Sequence, residues 1–182
     1  MENSASDVLS FWADAGPKRW FTKDDAFDRD IEHRFSALVS QAEAGTLANW
    51  GDEPESALAL IIVLDQFTRN LHRGSGDAFR NDPAALAIAN EAIRRGHDRS
   101  LGEWANLRGF FYMPFMHSEK LADQERCIAL FREMGSETSL HHAEVHADII
   151  RRFGRFPHRN AVLGRTSSPD EIAFLDAGGF AG

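Results

Sequence analysis

The sequence predicts an all-α fold of about eight helices packed as antiparallel pairs. Apolar residues recur at spacings of three and four along most of the chain, and no segment alternates apolar and polar residues as a strand would. Proline and glycine mark the starts and ends of these periodic segments. The length of 182 residues suits one domain, and we predict a single domain over residues 1–182.

The segments predicted to be helical are residues 7–13, 24–44, 52–71, 82–96, 102–117, 118–135, 139–153 and 168–178. Val8, Phe11 and Trp12 share one face of the first helix. Gly16 and Pro17 then end it, because neither residue continues an α-helix easily. The second helix repeats apolar residues four and three apart, which is typical of one buried helix face.

The third helix contains the longest aliphatic run of the chain, residues 57–64, and Pro54 is tolerated in its first turn. We therefore expect a central helix that is buried on nearly every side. The fourth helix is expected to start at Asp82, as its N-cap, with Pro83 at the first helical position. In the fifth, Pro114 should introduce a kink or an early end.

The last three helices carry similar signals. Ser118 is expected to cap the sixth helix. The apolar residues that this helix should turn inward are Leu121, Ile128 and Phe131. The seventh is expected to run from about Ser139 to Phe153. The eighth begins with a capping box formed by Ser168 and Glu171.

Composition indicates a soluble, cytoplasmic protein. The net charge of −8 argues against a dedicated nucleic-acid binder, which needs excess lysine and arginine. Cys127 is the only cysteine, so no intramolecular disulfide can form, and this fits a reducing compartment. The start of the chain lacks the basic and apolar segments of an export signal. We expect no nucleic-acid partner, no membrane segment and no cofactor, and we read Cys127 as a small buried hydrophobe.

A first polar cluster, Asp-Gln-Phe-Thr-Arg-Asn at residues 65–70, ends the most apolar helix. Asp65 and Arg69 are four residues apart and share a helix face, and Arg73 lies one turn further along. Because this helix is otherwise apolar, its polar end should lie near the core, where charges must be paired or used. A structural ion-pair network and a ligand site are both open interpretations.

A second polar cluster lies at residues 112–119, where Tyr112, His117 and Glu119 follow an aromatic helix. His117 and Glu119 are candidate acid–base or ligand-orienting groups. No nucleophile elbow of the Gly-x-Ser-x-Gly type accompanies Ser118, so capping explains this serine better than nucleophilic catalysis does.

His142 and His146, four residues apart on one helix, have a spacing that can chelate zinc. The zinc-protease pattern requires glutamate directly after the first histidine, however, and Ala143 stands there. We therefore expect His146 to be a partly buried histidine that contacts a carboxylate, and we predict no metal site.

The third polar cluster, residues 153–165, reads Phe-Gly-Arg-Phe-Pro-His-Arg-Asn-Ala-Val-Leu-Gly-Arg. Its cationic or titratable side chains are Arg155, His158, Arg159 and Arg165. The guanidinium groups offer forked donors that match carboxylates or phosphates, and the histidine can change its charge near neutral pH. Alternatively, these arginines tie the loop to helix ends and to Asp65 or Glu119.

With these clusters the sequence resembles a bacterial family of uncharacterised proteins known as domain of unknown function 924. The segments that carry the resemblance are Val-Leu-Ser-Phe-Trp at residues 8–12, residues 60–73 with Asp-Gln-Phe-x-Arg-Asn, residues 112–119 and residues 153–165. Thr68 stands where the family pattern has proline, and this change should leave the helix end more regular. The resemblance implies an all-α fold similar to tetratricopeptide-like helical proteins, and it brings neither an activity nor catalytic residues.

The three polar clusters together predict one charged pocket that binds a small anionic ligand or the acidic end of a peptide. The predicted ligand-binding residues are Asp65, Arg69, Arg73, Tyr112, His117, Glu119, His146, Arg155, His158 and Arg159. In this hypothesis the arginines supply positive charge, the carboxylates orient them, and the histidines of the second and third clusters exchange protons. The tyrosine lines a wall of the pocket.

Two alternatives stay open. One is a hydrolase or lyase that uses His117 or His158 as general base, with Glu119 as a further catalytic candidate and with or without a divalent metal at His142 and His146. The other is a helical protein-interaction scaffold, in which the polar clusters form only a buried ion-pair network.

Overall fold

The computed structural model of the protein describes residues 3–181, and within them it is helical and contains no strand. This confirms the predicted all-α class. The chain forms two compact units. Unit 1 consists of Met1–Arg73 and Asp77–Pro114, and unit 2 consists of Gly74–Gly76 and Phe115–Gly182. A single domain over the whole chain stays a prediction.

The α-helices of the described residues are α1 (Ala5–Trp20), α2 (Asp25–Glu43), α3 (Pro54–Ile61), α4 (Thr68–Leu71), α5 (Asp82–Arg94), α6 (Met113–His117), α7 (Leu121–Met134), α8 (Glu137–Phe153) and α9 (Pro169–Asp176). A π-helical segment, Ile62–Phe67, joins α3 to α4, so these three form one continuous helix. The 3₁₀ segments are Ala48–Asp52, Gly76–Phe79, His97–Arg99, Gly102–Phe111 and Pro157–Arg159.

The ends of two predicted helices differ from the expectation. α1 continues past Gly16 and Pro17 as far as Trp20, with a kink where Gly16 adopts a φ of 68°. Glycine reaches this left-handed conformation without a steric cost, so the chain bends there and resumes helical turns. The segment Gly102–Phe111 is 3₁₀-helical, and the predicted long α-helix over it is wrong. Pro114 lies in the first turn of α6, where its missing N–H is tolerated.

The predicted capping box of α9 is confirmed. The Ser168 hydroxyl accepts the Glu171 backbone N–H at 3.3 Å, and the Glu171 carboxylate accepts the Ser168 N–H at 2.7 Å. The N-cap predicted at Asp82 is wrong, because Asn81 holds that position in α5. The Asp82 carboxylate accepts a hydrogen bond from Arg69 instead.

Ser118 is also not an N-cap, since Lys120 holds that position in α7. The Ser118 hydroxyl lies two residues earlier, where it accepts the Lys120 N–H at 3.2 Å and donates to the Asp123 carboxylate at 2.7 Å. It therefore supports the turn before the helix. Leu121, expected to point inward, is 38% exposed because it sits at the first position of α7, while the inward placement of Ile128 and Phe131 is confirmed.

The core of unit 1 surrounds the continuous helix α3–α4, which is buried on every side through Ala57–Phe67, as the aliphatic run predicted. Trp12 lies at the centre of an aromatic cluster. The rings within 6.1 Å of it, centre to centre, are Trp20, Phe27, Phe67 and Phe110. Burial of such large rings is the dominant stabilising term in a core of this kind, and it accounts for the excess of phenylalanine over tyrosine.

The helix end at Thr68 is not uniformly α-helical, because the six residues before it are π-helical. Thr68 adapts to this wider turn, since its hydroxyl donates to the Val63 carbonyl five residues earlier, at 3.3 Å. The same hydroxyl accepts a hydrogen bond from Asn81 at 3.0 Å. A regular α-helix over residues 52–71 is therefore wrong at its centre.

Unit 2 is built on α7 and α8, two helices joined by a two-residue turn and therefore antiparallel neighbours. Gly135 makes this turn possible with a φ of 75°. α9 packs its Phe174 ring against Phe153 at the end of α8, with ring centres 5.1 Å apart. The buried apolar cluster of this unit contains Ile149, Ile150 and Phe156.

Gln124 of α7 holds the turn that carries His117 and Glu119. The amide is fully buried, and its nitrogen donates to three backbone carbonyls at the end of α6. The accepting oxygens are those of Phe115 at 3.3 Å, Met116 at 2.7 Å and Ser118 at 2.6 Å. The Phe115 carbonyl also accepts the Ser118 N–H at 3.3 Å. Because the last carbonyls of a helix lack a full set of intrahelical donors, the glutamine side chain completes the helix end.

Replacing Gln124 by leucine should destabilise the protein. The change keeps the side-chain volume but leaves buried carbonyls without a donor, which costs about 1–3 kcal/mol of the free energy of unfolding. Urea unfolding followed by circular dichroism measures this difference. Glu125→Gln, at the exposed neighbouring position, is the matched control and should change little. Equal stability of Gln124→Leu and the control would contradict the role assigned to Gln124.

Candidate functional site

The first polar cluster lies in unit 1 and forms a chain of ion pairs. The Asp65 carboxylate is 0% exposed and accepts hydrogen bonds from Arg69 at 3.0 Å and from Gln66 at 2.5 Å. Arg69 also donates to Asp82 at 2.9 Å. The predicted pairing of Asp65 with Arg69 near the core is confirmed. One guanidinium is held here between two carboxylates, which is a structural arrangement.

Arg73 and the second-cluster tyrosine lie in separate networks of unit 1. Arg73 and Asn70 both donate to Asp28 of α2, the asparagine at 2.7 Å. The Tyr112 hydroxyl is buried, donates to Asp98 at 2.6 Å and accepts from Arg108 at 2.7 Å. Burial and the neighbouring Asp98 carboxylate raise the pKa of Tyr112 well above its usual value of 10.0, so the phenol stays protonated.

In unit 2, two arginines of the third cluster are paired with carboxylates. Arg155 donates to both carboxylate oxygens of Glu171, at 2.6 and 2.8 Å, and to the Thr166 carbonyl at 2.9 Å. Arg165 makes a forked contact with Glu119, at 2.7 and 3.0 Å. The alternative that an arginine ties the loop to Glu119 is thus confirmed for Arg165. Arg155 ties it to α9.

Glu119 also accepts the backbone N–H of Phe156 at 2.8 Å. Burial acts to raise the pKa of Glu119, but the hydrogen bonds from Arg165 and Phe156 outweigh it and lower the pKa below 4.5. The carboxylate is therefore ionised at neutral pH. It fixes the loop of residues 153–165 against the turn after α6.

Four rings of unit 2 contact one another, and we call them the imidazole–phenyl cluster. They are His146, Phe156, His158 and Phe180. His146 lies 5.5 Å from Phe156 and 4.4 Å from Phe180, centre to centre. His158 lies 5.6 Å from Phe156 and 5.3 Å from Phe180. Each imidazole thus contacts both phenyl rings. The guanidinium of Arg159, a residue only 6% exposed, stacks over Phe156 at 4.7 Å.

His146 is bonded to a backbone carbonyl, and the expected contact with a carboxylate is wrong. Its Nδ1 lies 2.8 Å from the carbonyl oxygen of His142, one turn earlier on α8. Since a carbonyl only accepts hydrogen bonds, the neutral imidazole carries its proton on Nδ1 and has a lone pair on Nε2. Helix geometry favours this bond, because residues four apart are neighbours on one face.

His158 contains the one polar atom of the imidazole–phenyl cluster that lacks an explanation within the fold. Its Nδ1 is buried, and no donor or acceptor of residues 3–181 lies within hydrogen-bonding distance. Native proteins rarely leave a buried polar atom unpaired, because the lost hydration costs free energy. A bound water or ligand atom would satisfy it.

Both histidines of this cluster are neutral at physiological pH. Burial lowers the pKa of His146 to about 4, and the nearby His158 and Arg159 act in the same direction. Burial, followed by the positive charge of Arg159, lowers the pKa of His158 to about 4, while Glu119 opposes the shift. Because apolar rings replace water around them, the imidazoles resist protonation.

Unit 2 therefore brings together six of the predicted site residues. They are His117, Glu119, His146, Arg155, His158 and Arg159. The convergence of all three polar clusters on one pocket stays a prediction. The sequence did not predict the pairing of Glu171 with Arg155, the pairing of Asp98 with Tyr112 or the contacts of Phe180. For Phe180 a signal was available, since a lone phenylalanine follows the Gly-Gly that ends the last helix.

Two surface clefts are lined by residues outside the predicted set. A cleft of about 240 Å³ in unit 1 is lined by Asp7, Ser10, Phe11, Asp14, Ala15, Arg19, Phe27 and Arg34. A groove of about 560 Å³ between α7 and α8 is lined by Glu125, Ile128, Arg132, Glu144, Asp148 and Arg151.

Among residues 3–181, no three metal-ligating side chains are grouped to hold an ion. No described helix is long and apolar enough to span a membrane.

The low pKa of His146 predicts a loss of stability in mild acid. The unfolded chain takes up a proton below pH 6.5, whereas the folded imidazole does so only near pH 4. The free energy of unfolding should therefore fall by roughly 2 kcal/mol between pH 7 and pH 5 through this group. His146→Gln keeps a donor for the His142 carbonyl and does not titrate. Its free energy of unfolding should therefore fall by roughly 2 kcal/mol less than that of the wild-type protein over the same pH range.

Urea unfolding at both pH values measures the difference. His141→Gln, at an exposed position of the same helix, is the control and should follow the wild-type protein. The same loss of stability in His146→Gln and the wild-type protein would contradict a buried, neutral His146.

Known proteins match this chain over nearly its whole length. A bacterial family of proteins of unknown function, DUF924, matches residues 8–179. A solved structure of a protein of unknown function from Agrobacterium tumefaciens, ATU0120, is 46% identical and has a TM-score of 0.90. That match covers 95% of this chain and 97% of the other. No curated protein matches the sequence. The chain, with its imidazole–phenyl cluster and its loop of residues 153–165, belongs to the DUF924 family of bacterial proteins.

Proposed function

We propose that this protein binds a small anionic ligand in unit 2, at the imidazole–phenyl cluster and Arg159. The observation that carries the proposal is the buried Nδ1 atom of His158, which has no hydrogen-bond partner among the described residues. A ligand oxygen at this atom would remove the cost of leaving it unpaired. An N–H at Nδ1 would donate to that oxygen.

The charges around His158 favour an anion over a cation. Arg159 and Arg165 are the guanidinium groups that act on it, and Glu119 is the opposing carboxylate. With neutral imidazoles, two guanidinium groups and one carboxylate act on His158. Arg159 is buried and stacked on Phe156, so its position is fixed before a ligand arrives. A fixed guanidinium loses little conformational entropy when it binds a carboxylate or phosphate.

The other predicted residues of unit 2 have positioning roles in this proposal. Glu119 and Arg165 fix the loop of residues 153–165 to the turn after α6. Arg155 anchors the loop to α9 through Glu171, so it positions the site instead of supplying the ligand's counter-charge. That Asp65, Arg69, Arg73 and Tyr112 line the same pocket stays a prediction.

The hydrolase or lyase alternative receives less support from His158. A general base works best when its pKa lies near the operating pH, and an imidazole with a pKa of about 4 is a weak base at neutral pH. Hydrogen bonding to a bound anion, by contrast, requires only the neutral N–H. Binding is therefore the function that the imidazole–phenyl cluster supports best.

Anion binding should depend on Arg159 and on pH. Inorganic phosphate should raise the melting temperature of the wild-type protein, and Arg159→Gln should weaken the affinity about ten-fold or more. A bound anion raises the pKa of His146 and His158 from about 4, so binding takes up protons and strengthens as pH falls from 7 to 5. Calorimetry in buffers of different ionisation enthalpy measures both effects.

Arg151→Gln removes an exposed arginine of α8 and is the matched control, with unchanged affinity expected. Arg159→Lys keeps the positive charge but loses the paired N–H donors of the guanidinium. Its affinity for the anion should therefore lie between those of the wild type and Arg159→Gln. If phosphate and acetate bind no more weakly to Arg159→Gln than to Arg151→Gln, the proposal is wrong.

A further inference from the structure

We propose that the ligand of this site carries an aromatic ring joined to an anionic group, and that Phe180 occupies the place of that ring in the ligand-free protein. This inference rests on the proposed anion-binding function and specifies the class of ligand. Its basis is the way in which the segment after α9 reaches the imidazole–phenyl cluster.

Phe180 completes the cluster from outside the helices. It lies closer to His146 than Phe156 does, at 4.4 Å against 5.5 Å between ring centres, and it meets His158 edge-on at 5.3 Å. Its ring also packs against the buried apolar cluster of unit 2. A slot that accepts a phenyl ring in this way fits other phenyl rings, because the contacts are those of ring faces and edges.

The path of the segment requires its two glycines. Gly178 reverses the chain with a φ of 80°, and Gly179 passes directly over the Phe174 ring. A Cβ atom at Gly179 would lie 2.5 Å from that ring, so a larger residue here would force the Phe174 ring to move. The chain therefore turns tightly at the end of α9 and delivers Phe180 to the two imidazoles.

Among the described residues, the contacts of the segment after Gly179 are those of the Phe180 ring. The Gly179 N–H donates to the Phe174 carbonyl at 3.0 Å, and no backbone hydrogen bond of Phe180 or Ala181 follows within the described residues. A segment without backbone hydrogen bonds opens at low free-energy cost. Phe180 is therefore a displaceable plug, whereas Phe156 is buried in the core and stays in place.

Displacement of Phe180 would uncover the ring slot next to the anion-binding groups. Arg159 stacks on Phe156, and His158 contacts both Phe156 and Phe180. An anionic group two or three bonds from a ring in the Phe180 position would then lie near His158 Nδ1 and Arg159. This chemistry is shared by free aryl carboxylates and by peptides that end in an aromatic residue.

The test compares anions that carry an aromatic ring with anions that lack one, and it measures their binding to three proteins. The ligands are inorganic phosphate, butanoate, 3-phenylpropionate and the peptide acid N-acetyl-Gly-Gly-Phe. The proteins are the wild type, Phe180→Ala and Phe153→Ala. The last removes a half-buried phenylalanine of α8 that packs on Phe174. Calorimetry gives the affinities, and circular dichroism checks that each variant is folded.

A closed site reduces the apparent affinity to the intrinsic affinity multiplied by the fraction of open protein. 3-Phenylpropionate should therefore bind Phe180→Ala about ten-fold more tightly than the wild type or Phe153→Ala. It should also bind more tightly than butanoate. Tighter binding of the peptide than of 3-phenylpropionate assigns the ligand to a peptide end, and the reverse order assigns it to a free small molecule. Phe180→Leu, which keeps an apolar side chain, replaces Phe180→Ala if the latter does not fold.

Equal affinity of 3-phenylpropionate for Phe180→Ala and the wild type, or affinity no greater than that of butanoate, overturns this inference alone if phosphate still binds through Arg159. If no anion binds to any of these proteins, the proposed function is wrong, and the inference that rests on it is wrong as well.

Discussion

The burial of two imidazoles among phenyl rings is the constraint on which the site in unit 2 depends. His146 and His158 lie against Phe156 in a region where apolar rings replace water, so their protonated forms are disfavoured. Arg159 is stacked on the same phenyl ring and adds a positive charge that reinforces the effect. The neutral state of the histidines, the fixed guanidinium and the unpaired Nδ1 all follow from this packing.

Most other polar groups of the three clusters serve the architecture. Asp65 shares Arg69 with Asp82, Tyr112 shares a network with Asp98, and Arg155 is held by Glu171. In each case donors and acceptors satisfy one another, which is what a buried charge needs in order to persist in a fold. Against this background the buried Nδ1 of His158 has no hydrogen-bond partner among residues 3–181. Trp12 Nε1, His97 Nδ1 and Gln124 Oε1 share this property, but those atoms lie outside the three polar clusters.

Periodicity predicted the all-α class because the longer helices bury one face or, in α3, every face. It did not distinguish the 3₁₀-helical segment Gly102–Phe111 from an α-helix. It could not predict the π-helical turn at Ile62–Phe67, since a run of apolar residues that is buried on every side has the same pattern in an α-helix and in a π-helix. Ion-pair partners were also hard to predict. The spacing of Asp65 and Arg69 indicated a local pair, whereas Glu171 lies sixteen residues from Arg155 and carries no sequence signal of that contact.

The claim that His158 Nδ1 hydrogen-bonds to a bound anion can be tested directly by ¹⁵N NMR of the imidazole nitrogens in solution. At pH 7, saturating phosphate should shift the Nδ1 resonance of His158 and protect its N–H from exchange with water, because the anion accepts a hydrogen bond there. The exposed His141 should not respond. An unchanged His158 spectrum at phosphate saturation would contradict the claim that this nitrogen faces a ligand.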